Sequence, residues 1–377
     1  MKIRWKWGKT RHRNKKRKAV IVTAAVLVVL AVLLVSYEAV KAVGRSNLQK
    51  RAKTAPPQVF PVETQELTEE EEKIWQEGWI KRGDQIYAYN EDIMTFLFMG
   101  IDKDEDVEKV EEGTDGGQAD ALFLLVLNPH RKVIQVIGIN RNTMADVDIY
   151  NEEGAYVTTT TAQIAVQHGF GNGVEESCGY QMKAVQRLLY NLPINGYAAV
   201  HMNAIISLTD MIGGIELVSL EDVGSAFEGK SKGRLVIKKD EYVVLDGEKA
   251  YSYVRYRDVK MEGSADRRLE RQQQFLGEFI RKAKAQTAKD ITLPVKMYQA
   301  VAEQMVTDVT ADEVAYLAST ALDYRFDKSQ FYSLKGKTVK GEKYEEFYVD
   351  EDALYELILD IFYEPVEEIT VRQKEKG

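Results

Sequence analysis

The chain has 377 residues, of which 45% are hydrophobic and 29% charged, and this excludes both a minimal domain and a wholly disordered polypeptide. Its single cysteine, Cys178, excludes an intrachain disulfide. The formal net charge of -8 is unevenly spread: ten of the 51 Lys and Arg residues and no acidic residue lie within residues 1–18, which leaves 41 basic against 59 acidic residues in the remainder.

An apolar segment follows the basic tail. Residues 19–35 are apolar except for Thr23. At about 1.5 Å per residue they span roughly 25 Å as a helix, near the lower limit for a bilayer core. The basic flank predicts a cytoplasmic tail over residues 1–18, a single transmembrane helix over residues 19–37 and an extracytoplasmic remainder. We therefore expect a protein of the cell membrane.

The sequence disfavours two alternatives to an anchor. A cleaved signal peptide is disfavoured because the apolar run is long and Ser36-Tyr37-Glu38 is a poor cleavage site. A nucleic-acid-binding tail is disfavoured because the acidic remainder would repel phosphate backbones, so we expect no nucleic-acid partner.

Residues 38–91 are predicted to form a spacer. Residues 38–60 are first basic and then punctuated by proline, which indicates a helical extension of the anchor followed by a linker. Residues 63–85 are acidic and carry four apolar side chains at helical spacing, which predicts a short amphipathic helix at the edge of the domain: Ile74, Trp75, Trp79 and Ile80.

Three apolar runs open the domain that we predict over residues 92–364. Residues 95–101, 121–127 and 132–139 are typical of strands buried on both faces. The turn residues 128–131 predict that the last two strands form an antiparallel hairpin, and an acidic, glycine-bearing loop is expected over residues 104–118.

Helices and strands are mixed in the rest of the domain. Helices are expected over residues 174–192, 203–214, 265–284, much of 290–325 and 351–362, and strands over residues 196–202, 215–220 and 331–334. This mixture predicts an α/β fold, a three-layer sandwich around a mixed β-sheet. Residues 365–377 are predicted to be a charged, frayed tail.

Two carboxylates stand at strand ends. Asp102 follows the first apolar run and Asp120 precedes the second, so antiparallel neighbours would bring them together. Two carboxylates suit Mg²⁺, with Mn²⁺ as the alternative ion. Each aspartate could equally be an ordinary strand terminator.

Arginines gather in three other segments. Arg141 follows the third apolar run, where it would project into a cleft or lie on the surface. Arg255 and Arg257 share a face only if their segment is extended, which the sequence leaves open. On a helix, one face carries Arg268, Arg271 and Gln272. Converging arginines would need a bound polyanion, whereas nearby acids also allow a salt-bridged surface.

Six motifs occur in a fixed order: Met99-Gly-Ile-Asp102, Ala119-Asp120-Ala121, Ile139-Asn-Arg141-Asn-Thr143, Asp210-Met-Ile-Gly-Gly-Ile215, Leu245-Asp-Gly247 running to Tyr253-Val-Arg255-Tyr-Arg257, and Arg268-Leu-Glu-Arg271-Gln272. Behind one N-terminal anchor, this set resembles the LytR-CpsA-Psr family of bacterial cell-envelope proteins, from about Phe96 to Phe362.

The resemblance implies a phosphotransferase outside the cell membrane. Such proteins move a glycopolymer, typically teichoic acid or capsular polysaccharide, from a polyprenyl-pyrophosphate carrier onto peptidoglycan. It implies that Asp102 and Asp120 hold Mg²⁺ and that an apolar groove takes the lipid. The residues implied to bind phosphate oxygens are Arg141, Arg255, Arg257, Arg268 and Gln272, with Arg271 adjacent.

Two positions depart from the family pattern. Gln118 stands where the family often has arginine, and Asn140-Arg141-Asn142 stands where it usually has Pro-Arg-Asp. These departures keep two alternatives open: a non-catalytic binder or scaffold for lipid-linked polymer, and a pyrophosphatase that uses water as the acceptor.

Overall fold

A computed structural model describes residues 38–48, 56–58, 67–110, 116–229, 231–258, 260–261 and 263–366. The predicted transmembrane helix over residues 19–37 and most of the charged tail lie outside these ranges. Within them, no helix combines the length and the apolar composition needed to cross a bilayer.

The helices are α1 (residues 38–48), α2 (Glu69–Ile74), α3 (Glu175–Leu188), α4 (Ala204–Met211), α5 (Gly247–Arg255), α6 (Ser264–Thr287), α7 (Leu293–Ala300), α8 (Ala311–Leu322) and α9 (Glu351–Phe362). Short 3₁₀ turns span Ile164–Phe170, Ala302–Gln304 and Lys328–Gln330.

The strands are β1 (Ile80–Arg82), β2 (Gln85–Tyr89), β3 (Met94–Ile101), β4 (Ala119–Asn128), β5 (Val133–Ile139), β6 (Met144–Tyr150), β7 (Tyr156–Gln163), β8 (Gly196–His201), β9 (Ile215–Val218), β10 (Val223–Gly224), β11 (Leu235–Ile237), β12 (Tyr242–Leu245), β13 (Met305–Thr307), β14 (Phe331–Ser333), β15 (Gly336–Lys340), β16 (Glu345–Val349) and β17 (Tyr363–Pro365).

A six-stranded mixed sheet forms the centre of the domain, in the order β13-β8-β3-β4-β5-β14. Strand β3 runs parallel to β8 and antiparallel to β4, and β4 and β5 form the predicted hairpin. Strand β14 joins the edge parallel to β5. The predicted mixed α/β fold is confirmed.

Helices cover both faces of this sheet because its central strands are apolar on both sides. One face packs against α3 and α9, through residues such as Met99 of β3 and Ile358 of α9. On the other face, Phe98 and Phe123 approach α4 and α6, and Phe96 packs with residues of α8. The sheet is therefore the middle layer of three, with a layer of helices on each face.

One predicted helix was wrong in extent. The amphipathic helix expected over residues 63–85 ends at Ile74, and the chain then forms the β1–β2 hairpin. Gly78 and Gly83 adopt positive φ angles of 80° and 58°, which a right-handed helix cannot accommodate. The segment expected to be mostly helical over residues 290–325 is so: it carries α7 and α8, and the short strand β13 between them pairs with β8 at the sheet edge.

Candidate functional site

The two predicted carboxylates meet at one end of the central sheet. Ile101, the last residue of β3, pairs with Ala119, the first of β4, and the Asp102 N–H donates to the Gln118 carbonyl oxygen at 3.0 Å. Asp120 is buried, whereas the Asp102 side chain is 44% exposed. The antiparallel pairing expected from the sequence is therefore what brings these residues together.

Arg141 and Arg268 both contact the buried carboxylate. Arg141 Nη1 lies 2.6 Å from Asp120 Oδ1, and Arg268 Nη1 donates to Asp120 Oδ2 at 2.8 Å. Arg141 reaches the cluster from the loop after β5, and Arg268 from the second turn of α6. The Arg141 Nη2 group also donates to Gln118 Oε1. Two guanidinium groups thus flank one carboxylate.

Arg255 joins the cluster through the other carboxylate. Its Nη2 group donates to Asp102 Oδ1 at 2.8 Å and its Nη1 group to Asp104 Oδ2 at 2.6 Å. The Tyr251 hydroxyl donates to Asp104 Oδ1 at 2.7 Å. Burial acts to lower the pKa of Arg255, but Asp104 and Asp102 outweigh it, so that the pKa is raised.

Arg257 lies beyond the end of α5, because Tyr256 leaves the helical conformation with φ -54° and ψ 133°. Its Nε group donates to Ser264 Oγ at 2.8 Å, and its Nη2 group lies 3.5 Å from Glu345 Oε2. This conformation answers the question left open by the sequence: Arg255 is helical, and the two arginines have different partners.

The guanidinium groups are close enough to repel one another. Burial lowers the pKa of Arg141, Asp120 opposes that effect, and the positive charges of Arg268 and Arg257 lower the pKa further. Burial and the charge of Arg268 likewise lower the pKa of Arg257. Bringing arginines together in a partly dehydrated cluster is unfavourable unless anions neutralise them.

Two nitrogens of the cluster are buried without a hydrogen-bond partner in the part of the chain that the structure describes: Arg141 Nε and Arg268 Nη2. A buried donor that is left unsatisfied costs about 1–3 kcal/mol, more when it is charged. Guanidinium donors match the oxygens of a phosphate well. The cluster therefore has donors free for an anion.

Gln272, which was predicted to bind phosphate oxygens, and Arg271, which was predicted to lie adjacent, both donate hydrogen bonds to the end of α5. The Arg271 guanidinium donates to the carbonyl oxygens of Tyr253 and Tyr256, and its Nε group lies 2.6 Å from Glu221 Oε1. Gln272 Nε2 donates to the Val254 carbonyl oxygen at 3.1 Å. The predicted helix is right, but this part of its face satisfies the C-terminal carbonyl groups of α5, as a helix end requires.

The departure at Asn142 also lies away from the carboxylates. Asn142 is buried, its N–H donates to Asn140 Oδ1 at 2.8 Å, and its Oδ1 accepts from Gln163 Nε2 at 3.3 Å. Asn140 Nδ2 donates to Asp266 Oδ1. These amides shape the turn that carries Arg141.

An apolar pocket begins one residue beyond Asp120. Ala121 lines it together with side chains of β3, β8, α4 and α6, among them Phe98, Leu208 and Phe275, and Gln272 is the polar residue in its wall. A pocket of this composition suits a hydrocarbon chain. The arginine cluster and the pocket are therefore adjacent.

Sequence reasoning missed Asp104 and Glu345. The sequence predicts Asp104 only as part of an acidic, glycine-bearing loop, although its spacing of two residues from Asp102 would place both on one side of an extended segment. Glu345 begins β16, far along the chain, and no local pattern could have linked it to Arg257.

Cys178 does not supply a nucleophile. It is fully buried in α3, and burial raises the pKa of its thiol to about 12. His168 lies 3.8 Å from its sulfur, and burial lowers the pKa of the imidazole to about 4. The neutral His168 ring contacts the Gly117 carbonyl oxygen at 3.1 Å, so it supports the segment that leads to Asp120.

Known proteins are similar to this chain in sequence and in fold. The LytR_cpsA_psr family model matches residues 61–358. The Enterococcus faecalis protein named polyisoprenyl-teichoic acid--peptidoglycan teichoic acid transferase TagU is 26% identical over 263 residues, which cover 68% of this chain and 73% of TagU.

Two crystal structures share the fold. Bacillus subtilis TagV has 20% identity and a TM-score of 0.55 over 71% of this chain and 96% of its own. Protein gbs0355 from Streptococcus agalactiae has 19% identity and a TM-score of 0.56 over 71% of this chain and 87% of its own. With the family model matched over most of its length, the chain belongs to the LytR_cpsA_psr family.

Proposed function

We propose that this protein is a membrane-anchored phosphotransferase that moves a glycopolymer of the teichoic acid type from a polyprenyl-pyrophosphate carrier onto peptidoglycan. One observation carries the proposal: a cluster of arginines with unsatisfied buried donors lies beside an apolar pocket. A lipid pyrophosphate has the matching chemistry, two phosphates joined to a hydrocarbon chain. The name of the E. faecalis relative supports the same reaction.

In this proposal the arginines bind the pyrophosphate. Arg141 and Arg268 direct their free nitrogens to its oxygens, and Arg255 and Arg257 complete the positive surface. Because the pocket starts at Ala121, next to Asp120, the lipid tail runs from the phosphates toward Phe98 and Leu208.

The proposed metal is Mg²⁺, with Mn²⁺ as the alternative. Among the described residues no group of three or more His, Cys, Asp or Glu side chains could hold a metal. We propose that Asp102 and Asp120 hold it, because Mg²⁺ commonly uses one or two protein carboxylates and completes its shell with phosphate oxygens and water. The Asp102 side chain is 44% exposed, and both carboxylates also contact arginines of the cluster. When bound, the ion would neutralise phosphate charge.

The proposed reaction is an in-line displacement. A peptidoglycan hydroxyl oxygen forms a bond to the phosphorus nearest the polymer, and the bond from that phosphorus to the bridging oxygen breaks. The bridging oxygen leaves as part of polyprenyl monophosphate, and the hydroxyl proton is released. The arginines stabilise the charge that develops on the transferring and leaving phosphates.

The cellular location is part of the proposal. The apolar run over residues 19–35 and the basic residues before it support a single-pass anchor with a cytoplasmic N-terminus. The domain would then act outside the cell membrane, where peptidoglycan is available.

The test uses the full chain, a polyprenyl-pyrophosphate-linked glycan, peptidoglycan and Mg²⁺, with mass spectrometry of the products. We expect polyprenyl monophosphate together with glycan joined to peptidoglycan. Arg255→Ala should lower turnover roughly 100- to 1,000-fold, as expected for the loss of a donor to transition-state charge. Arg325→Ala, at a guanidinium 3.9 Å from Asp327 in an exposed pair, is the matched control and should keep full activity.

The alternatives give different products. A scaffold would bind the lipid-linked glycan and release no monophosphate. A pyrophosphatase would release the monophosphate without joining the glycan to peptidoglycan. Equal turnover in wild type and Arg255→Ala would remove Arg255 from the mechanism.

A further inference from the structure

Asp104 lies two residues beyond Asp102, in a segment that is held against the end of β8. The Met202 N–H donates to the Lys103 carbonyl oxygen at 3.0 Å. Asn203 Nδ2 donates to the carbonyl oxygen of Asp104 itself. These two hydrogen bonds fix the backbone from which the Asp104 side chain projects toward the arginine cluster.

The Asp104 carboxylate is bound by two side chains of α5. The Tyr251 hydroxyl donates to Oδ1 at 2.7 Å, and Arg255 Nη1 lies 2.6 Å from each carboxylate oxygen. Tyr251 is buried and stacks on Phe227, with the ring centroids 4.6 Å apart. The Arg255 guanidinium carbon lies 5.3 Å from the centre of the Tyr251 ring, within the range of a cation–π contact. One buried tyrosine therefore contacts both members of the ion pair and fixes their geometry.

Arg255 contacts two carboxylates, whereas Arg141 and Arg268 share one. Its Nη1 group contacts Asp104, and its Nη2 group donates to Asp102 Oδ1 at 2.8 Å. Burial acts to lower the pKa of Arg255, but the hydrogen bond to Asp104 and the charges of both carboxylates outweigh burial and raise the pKa. The positive charge of Arg255 is therefore offset by carboxylates on two sides.

A carboxylate in this position has two effects on the binding of an anion by Arg255. It fixes the plane of the guanidinium group, because Nη1 and Nη2 are bound to different carboxylates, and a donor that is already oriented loses less entropy on binding. It also repels an incoming phosphate, because like charges at short range raise the free energy of the complex. The first effect orients Arg255, and the second weakens its hold on phosphate.

We propose that Asp104 is a positioning residue that also sets the affinity of the arginine cluster for pyrophosphate. It holds Arg255 in the orientation used in the reaction and weakens binding of the pyrophosphate before the reaction. This inference rests on the proposed function. Binding energy that the substrate and the transition state share does not raise kcat, whereas a correctly oriented donor to the developing charge does.

The test compares Asp104→Asn with the wild type in the full chain. Asparagine has nearly the same shape and keeps an oxygen that can accept from the Tyr251 hydroxyl, but it carries no charge. The Asp104 side chain is 40% exposed, so the fold should tolerate the change. The matched control is Asp106→Asn, at an exposed position of the same segment. Isothermal titration calorimetry measures the affinity for inorganic pyrophosphate, once with Mg²⁺ and once with EDTA.

We expect Asp104→Asn to bind inorganic pyrophosphate roughly three- to tenfold more tightly in both buffers, because one negative charge near the ligand is removed. In the transfer assay the same variant should lower KM, and it should lower kcat roughly tenfold because Arg255 is no longer held in place. Asp104→Glu keeps the charge and should stay within about twofold of the wild-type affinity. Asp106→Asn should match the wild type. Thermal unfolding checks that each variant is folded.

Unchanged affinity in Asp104→Asn, or an equal change in Asp106→Asn, would overturn the inference and leave the Asp104–Arg255 contact as a structural ion pair. Weaker binding in Asp104→Asn with Mg²⁺ alone would also overturn it, by assigning Asp104 to the metal. If no form of the protein bound pyrophosphate, the proposed function would fail and this inference with it. A wild type that binds pyrophosphate and transfers the glycan, with no effect of Asp104→Asn, would remove this inference only.

Discussion

Among single residues, Gln118 has a particular position because its side-chain oxygen accepts from Arg141, an arginine that also contacts Asp120. The Gln118 amide does not neutralise the charge of Arg141, but it accepts a hydrogen bond from Arg141 Nη2. In the proposed complex, that nitrogen could otherwise donate to a phosphate oxygen. A charge introduced at residue 118 should therefore act directly on phosphate affinity.

Gln118→Arg should lower the KM for the lipid-linked substrate, since it releases Arg141 and adds a cation. Gln118→Glu should raise the KM, because a carboxylate competes with phosphate for Arg141. Steady-state kinetics on the full chain measure both variants. The account requires opposite signs, and a KM that moves in the same direction in both would contradict it.

Asp148 illustrates how a residue outside the arginine cluster contributes to stability. Burial acts to raise its pKa, but hydrogen bonds from Arg187, Thr159 and Lys183 outweigh burial and lower the pKa from 3.8 to about 2. Because the folded pKa lies below the unfolded value, this stabilisation is present above pH 4 and is lost as the pH falls through about 2. Its size is roughly 2 kcal/mol.

Asp148→Asn should therefore lower the free energy of unfolding at pH 7. It should also make that free energy vary less between pH 4 and pH 2 than it does in the wild type. Chemical denaturation at each pH measures both effects, with Asp84→Asn at an exposed turn as the control. A variant with the same acid sensitivity as the wild type would contradict the assignment.

The sequence allowed some of these residues to be predicted and not others. Asp102 and Asp120 were predictable because each stands at the end of an apolar run, and antiparallel pairing brings such ends together. The role of Arg271 was not predictable, because its partners are backbone carbonyl groups of another helix. Helical spacing predicts which side chains share a face of a helix, but it does not predict which residues that face contacts.

Among the elements, α1 lies in the segment that the sequence predicts to be a spacer, yet it also packs against the domain. Leu48 is fully buried in a cluster with Met94, Phe96 and Tyr324. A Cβ atom at Gly44 would lie 2.4 Å from the Asp312 carbonyl oxygen, so only glycine allows this close approach to α8. The helix that follows the proposed anchor is therefore docked on the domain.

Leu48→Ala should destabilise the domain by about 2–5 kcal/mol, the usual range for such a truncation in a core. Val43→Ala, at an exposed position of the same helix, should change stability by less than about 0.5 kcal/mol. Thermal and denaturant unfolding of the full chain compare the two. Equal stability of both variants would show that α1 is not docked.

Helix α4 forms a wall of the apolar pocket. Leu208 lines the pocket, whereas Met211, one turn later, does not and is exposed. Leu208→Trp should therefore raise the KM for a substrate with a long polyprenyl chain more than for one with a truncated chain. Met211→Trp should leave both values unchanged. Equal losses for both chain lengths in Leu208→Trp would argue against a lipid in this pocket.

Long elements were easier to predict than short ones. Strands β3, β4 and β5 carry continuous apolar runs, which are typical of strands covered on both faces. Strands β1 and β13 have three residues each and exist because a partner strand lies beside them. Pairing of that kind is a tertiary effect, and local periodicity carries no signal for it.

At the scale of the whole molecule, side chains along one face of β3 and just beyond its end contact, in order, the docked helix α1, the apolar pocket and the arginine cluster. Phe96 packs with α1 and α8, Phe98 lines the pocket, and Asp102 joins the arginine cluster. These positions span about 20 Å along an extended strand. A lipid held in this order would have its hydrocarbon chain on the side of the docked helix and its phosphates at the far end.

The most direct test of the central claim, that one site binds both phosphates and lipid, is equilibrium binding of polyprenyl pyrophosphate and of inorganic pyrophosphate to the full chain with Mg²⁺. The account predicts tighter binding of the lipid form, weaker binding of both ligands in Arg255→Ala, and weaker binding of the lipid form alone in Leu208→Trp. Equal affinity of the wild type for both ligands, or unchanged affinities in Arg255→Ala, would contradict it.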